Sequence, residues 1–195
     1  MRRVGVHTLR LSAVAGVAAV LFSLGATLGA PATASWFSWS TNALSDLGTT
    51  DGTPRLLFNY GLIAAGAVGL GFLPVVAASA SNRVGRAATV PVATALLGVV
   101  GVGAFPAGTS LHLPAALATY LGFVTAPVVY GVGDLLAGRR RTGLASVFDG
   151  VAHLAVWFPL SFVYLGVAFG LAVPELAGAA LFDAWVLGVA ARVWR

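Results

Sequence analysis

Few residues of this chain can do acid–base, metal or nucleophilic chemistry: it has six acidic residues and three histidines, and neither cysteine nor lysine. Two groups among them have spacings that could bring them together. The first is Asp46, Asn59 and His112, with Asn42 and Ser45 close to Asp46 in sequence. An aspartate and a histidine make an acid–base pair or part of a metal site, and an asparagine can orient either. Two ionisable groups fall short of the three protein ligands that a catalytic zinc ion needs, so no metal or cofactor is expected. The competing reading is that these side chains hydrogen-bond loops to one another. The second group is Asp149, His153 and Asp183. Asp149 and His153 are four residues apart and share a helix face.

The elements that must position these groups are helices in a membrane. Of the 195 residues, 58% are hydrophobic and 9% charged, whereas soluble domains carry about a quarter charged residues. Such a chain cannot cover a water-facing surface of its own size, but lipid-facing positions can be apolar. Apolar runs at about 11–30, 56–78, 87–105, 113–136, 144–169 and 175–191 predict an all-α bundle of six transmembrane helices. There is no length left for a soluble catalytic domain. Ala32-Thr33-Ala34 offers a small-x-small cleavage site. The run before it is longer than the roughly 7–15 residues of a signal-peptide core, so an uncleaved first span is expected.

The arginines orient the bundle. With the N-terminus inside, Arg2, Arg3, Arg10, Arg83, Arg86, Arg139, Arg140, Arg141, Arg192 and Arg195 fall on the inner side, and Arg55 alone falls outside. That is the positive-inside pattern with both termini cytoplasmic, in a cell membrane. The net charge of +5 is thereby explained by inner loops, and nucleic-acid binding is not expected. Asp134, five residues before Arg139, is expected to pair there or meet water. Counted inward from inner ends near Ala145 and Ala191, His153 and Asp183 lie about 12 Å deep on antiparallel neighbours. A charge at that depth costs about 2.5–3.5 kcal/mol on insertion scales, so a His153–Asp183 hydrogen bond or ion pair is expected. It would be a proton relay, a substrate site or a polar clasp.

Smaller features complete the pattern. Trp36, Trp39, Ala43, Leu44 and Leu47 recur at helical spacing opposite Asn42, Ser45 and Asp46. This predicts a short interfacial helix stopped at Gly48, anchored by tryptophan or capping an outer pocket. Gly25 and Gly29, and Gly166 and Gly170, have the spacing that lets helices approach, with plain bundle packing the expected use. Pro74, Pro127 and Pro159 should bend their spans, freeing carbonyls such as that of Ala155. Thr119, Tyr120, Thr125 and Tyr130 could line a cavity or bond to backbone. No phosphate loop, paired-histidine zinc signature or nucleophile elbow is present.

Asn42-Ala43-Leu44-Ser45-Asp46-Leu47-Gly48, then Phe58-Asn59-Tyr60-Gly61, then Gly103-Ala104-Phe105-Pro106 and the following His112 resemble the pattern of domain-of-unknown-function family 998. The resemblance covers nearly the whole chain. It implies a small multi-pass membrane protein of a kind frequent in archaea, and it supplies no activity. Taken together, the residues predict a membrane protein without an enzymatic signature. Membrane lipids surround it, and it binds or senses a small or lipid-like molecule at an outer pocket or supports a membrane complex. Two alternatives stay open: a proton-coupled transporter using Asp149, His153 and Asp183, and an intramembrane metal-dependent hydrolase using Asp46 and His112. The oligomeric state is not legible.

Overall fold

A computed structural model of the chain describes residues 5–164 and 170–194, with side chains at all of these except 158–164. The elements are helical, and no strand occurs among the described residues. They run α1 (Val6–Ala32), α2 (Thr53–Ser79), α3 (Arg83–Ala104), α4 (His112–Leu136) and α6 (Ala172–Trp194), with α5 (Arg140–Tyr164) before the last. All but α5 are long and apolar enough, over their described residues, to cross a membrane. The far end of the fifth predicted span, with Gly166 and Phe169, lies outside the described residues. So do Arg2, Arg3, Arg195 and the side chain of Pro159.

Local chemistry sets the helix ends. Pro54 occupies the first turn of α2, where its missing N–H costs nothing. The Asn82 side chain caps α3 by accepting the Gly85 N–H at 3.0 Å. Gly138 takes φ +77° just after α4, the left-handed conformation that ends a helix and turns the chain into α5. Two helices are irregular. A π-helical turn, Gly25–Gly29, lies within α1. A 3₁₀ turn over Leu70–Phe72 precedes Pro74 in α2, so the bend expected at Pro74 is absorbed in that turn. Pro127 sits inside a continuous α4.

Each helix packs on its neighbour in sequence, and α6 returns to α1, closing a ring; α4 also reaches α6. Between apolar helices in lipid, association rests on close packing rather than on exclusion of water. Glycines supply it. A Cβ at Gly66 would lie 2.4 Å from the Leu96 carbonyl, one at Gly98 2.6 Å from the Thr119 nitrogen, and one at Gly122 2.7 Å from the Pro91 carbonyl. Gly25 and Gly29 do not pack in this way, since a Cβ at either meets nothing within 4 Å. Gly170 lies against the loop between α1 and α2 rather than a helix: its N–H donates to Ser40 O and that of Ala172 to Asn42 O. The outward surface is apolar, with Leu21 65% and Phe148 71% exposed, as a lipid-facing surface should be.

The loop between α1 and α2 departs from the expected interfacial helix. Residues 35–41 form turns, and the regular element is a 3₁₀ helix over Leu44–Thr49. The cause is side-chain competition for the backbone. Asn42 Oδ1 accepts the Ser38 N–H, Asn42 Nδ2 donates to Asp46, and Asp46 accepts the Ala43 N–H. These three bonds fix a tight turn where a continuous helix would otherwise run. Leu44 and Leu47 still point inward, while Trp36, Phe37 and Trp39 pack edge-to-face. Gly48 lies inside the 3₁₀ helix instead of stopping a longer one.

Candidate functional site

A small chamber lies at the end of the bundle that carries the α1–α2 loop, the side the arginines predict to be outer, and a large open cleft lies at the opposite, arginine-bearing end; they are called the outer chamber and the inner cavity. The outer chamber, about 80 Å³, lies beneath the 3₁₀ turn. Its polar wall is made by Ser23 and Thr27 of α1, Ser45 of the turn, His112, Thr119 and Tyr120 of α4, and Glu175 of α6. The π-helical turn begins two residues after Ser23 and includes Thr27, and such turns often accompany functional sites.

Of the residues expected at an outer pocket, Ser45 and His112 line the chamber, whereas Asn42, Asp46 and Asn59 hold its roof. Asp46 is occupied by Asn42 and by the Ala43 N–H. Asn59 donates to Gly48 O at 3.2 Å, and its Oδ1 is buried without a partner. His112 Nδ1 bonds to Phe105 O at 2.8 Å, which orients the ring at the chamber edge. Glu175 escaped the sequence reading, which saw it only as the opening of a helix. Its Oε2 accepts the Leu44 N–H at 2.5 Å, pinning the 3₁₀ turn to α6. The available signal was an acidic residue one turn into an apolar helix, which also suits the helix dipole.

The expected His153–Asp183 pair does not form. His153 is 1% exposed and its Nδ1 bonds to Gly178 O at 3.2 Å, leaving Nε2 without a partner. Asp183 instead bonds to Ser23 on α1, and its Oδ2 has no partner. The depth count fails because α5 and α6 are offset. His153 is level with Gly178, which leaves Asp183 five residues, about 7.5 Å, farther inward and on a different face. Gly178 is small for a reason: a Cβ there would lie 2.6 Å from His153 Cε1. The rings of Tyr120 and Phe123 flank His153 at 5.9 and 5.6 Å. Phe123 stacks on Phe182 at 4.1 Å, and Phe182 on Trp185 at 5.6 Å. This aromatic column runs from the outer chamber, which Phe123 lines, to the inner cavity, which Trp185 lines.

The inner cavity holds about 1020 Å³ between the end of α2, the α4–α5 turn, α5 and α6. Arg139, Arg140, Arg141 and Arg192 line it, as do Asp149 and Trp185. Asp149 Oδ2 has no partner. The Trp185 indole donates to Ser146 Oγ at 2.6 Å. Beside the cavity lies a polar knot that sequence reasoning missed. Asp134 is fully buried and accepts from Ser81 at 2.5 Å, Thr142 at 2.7 Å and Arg192 at 2.7 Å. Its salt-bridge partner is thus Arg192, not Arg139, which reaches it only through a main-chain bond to Asp134 O. Arg192 also donates to the Tyr130 hydroxyl, which shares a bond with Ser79. The knot joins α2, α4, α5 and the chain end.

No group of three or more His, Cys, Asp or Glu able to hold a metal ion occurs among the described residues. No curated protein matches the chain, and no solved structure matches it. Residues 16–192 match the family described as "Protein of unknown function (DUF998)". That match spans α1 to α6, including the closed ring and both cavities, and the chain belongs to this family.

Proposed function

We propose that the protein is a six-span cell-membrane protein, both termini cytoplasmic, that binds a lipid-like amphiphile in its inner cavity. The single observation that carries this reading is the shape and lining of that cavity. About 1020 Å³ reaches the top of the range for small-molecule sites. Arg139, Arg140 and Arg141 stand at its mouth and Trp185, Ala184 and Val189 on its wall. Guanidinium groups match phosphate and carboxylate oxygens in planar, two-pronged contacts, and the apolar wall suits an acyl tail. The outer chamber, about 80 Å³, has room for a few waters and does not suit such a ligand. The fifth helix is taken to cross with the other five because α5 packs between α4 and α6. That crossing also keeps every inner arginine on one side.

Gly188 provides the test. It lines the cavity, and a Cβ built on it meets nothing within 4 Å, so Gly188→Phe fills the cavity without displacing a helix. Gly29→Phe, where a Cβ also meets nothing, is the control outside the cavity. Purified in mild detergent and weighed by native mass spectrometry, wild type and Gly29→Phe are expected to retain bound lipid. Gly188→Phe is expected to lose most of it. Equal retention by all three, or none by wild type, would refute the reading.

A further inference from the structure

The two cavities are separated by a short partition, and the ionisable groups in it are incompletely satisfied. On α6 the outer chamber ends at Ala179 and the inner cavity begins at Ala184, an interval of about 7.5 Å along a helix. On α5, His153 packs against Gly178 at the outer edge of this interval, and Asp149, one turn inward at about 6 Å, lines the inner cavity. Tyr120 lines the outer chamber and its ring is 5.9 Å from that of His153.

The tautomer of His153 follows from its one hydrogen bond. Gly178 O only accepts, so Nδ1 carries the hydrogen and Nε2 presents a lone pair. That nitrogen is buried, in a residue 1% exposed, and has no partner. The Asp149 Oδ2 is likewise unpartnered. Leaving two such groups unsatisfied a turn apart is costly in hydrocarbon and marks ion or proton pathways.

From this arrangement we infer that the bundle conducts protons between its two cavities, through His153 and Asp149. A proton from outer water enters the chamber walled by Glu175, His112 and Tyr120. His153 Nε2 accepts it, giving the imidazolium while Nδ1 keeps its bond to Gly178. Nε2 then returns the proton to the Asp149 carboxylate across a bridging water. Asp149 releases it to the inner cavity. One proton enters, one leaves, both groups regain their starting forms, and one elementary charge crosses. Arg139, Arg140, Arg141 and Arg192 share the inner cavity with Asp149. Arg192 is already paired with Asp134, and the arginines favour the carboxylate that must receive each proton. The aromatic column of Phe123, Phe182 and Trp185 lies alongside.

The test uses the full chain in phospholipid vesicles with a pH-sensitive dye inside, driven by a valinomycin-set potassium diffusion potential. Wild type is expected to acidify the lumen at least tenfold faster than protein-free vesicles. Asp149→Asn and His153→Gln are expected to fall to the protein-free rate, while Asp149→Glu, which keeps the carboxyl, retains flux. Asp51→Asn, at an exposed outer position, leaves the rate unchanged. Wild-type vesicles as tight as protein-free ones would overturn the proposal. So would Asp149→Asn or His153→Gln conducting like wild type. Lipid retention is a separate readout, so this inference and the amphiphile reading stand or fall independently.

Discussion

At the scale of the residue, burial and partner choice decide which polar groups hold the fold and which remain available. Asp134 is the clearest structural case. It is buried, accepts three side-chain hydrogen bonds and neutralises Arg192. Removing one partner of a buried pair costs about 3–5 kcal/mol, and Arg192 keeps some access to water, with its side chain 18% exposed. Asp134→Ala is therefore expected to cost about 3 kcal/mol, read as lower thermal stability in detergent; an unchanged melting curve would show that the knot carries no stability. The sequence pointed to Arg139 or to water as the partner of Asp134, whereas the partner is Arg192. That partner is 58 residues away and is brought near only by closure of the ring. Asp46 and Asn59 were legible as a linked outer set. That such side chains could hydrogen-bond loops was also legible; their particular partners, Asn42 and the Ala43 N–H for Asp46 and Gly48 O for Asn59, were not, because they depend on a non-helical loop.

At the scale of the element, the helices were legible because apolar length is a strong signal and few polar residues interrupt it. Five matched helices begin or end within a few residues of the spans read from hydropathy. Irregular elements were not legible. The π-helical turn at Gly25–Gly29 and the 3₁₀ helix at Leu44–Thr49 arise from packing and local side-chain bonds, which leave no periodic trace. The same limit applies to glycine. Spacing singled out Gly25 and Gly29, while the close contacts fall at positions such as Gly98 and Gly122. A Cβ at Gly122 meets the Ala95 Cβ at 2.5 Å and Pro91 O at 2.7 Å, so α3 and α4 would have to separate. Gly122→Ala is expected to destabilise by about 1–3 kcal/mol, as overpacking does, whereas Gly25→Ala leaves the melting temperature unchanged or slightly raised. Equal effects at the two positions would contradict the assigned α3–α4 contact.

At the scale of the whole molecule, ring closure by α6 against α1 creates a chamber at one end and a cavity at the other. It also offsets α5 from α6, so that His153 meets Gly178 and Asp183 turns to Ser23. Loop lengths and hydropathy gave the antiparallel order but not that offset, since a register shift of a turn changes neither. The proposed proton path requires the outer chamber and the inner cavity to open on opposite sides of the bilayer, and the amphiphile reading places the inner cavity on the cytoplasmic side. Because the chain has no cysteine, single cysteines can be introduced with no background to remove. Ser110, in the loop before α4, and Ala137, in the turn after it, are both exposed. In sealed right-side-out vesicles, a membrane-impermeant maleimide is expected to label Ser110→Cys at once and Ala137→Cys only after the membrane is opened. Labelling of both positions from the same side would contradict the account.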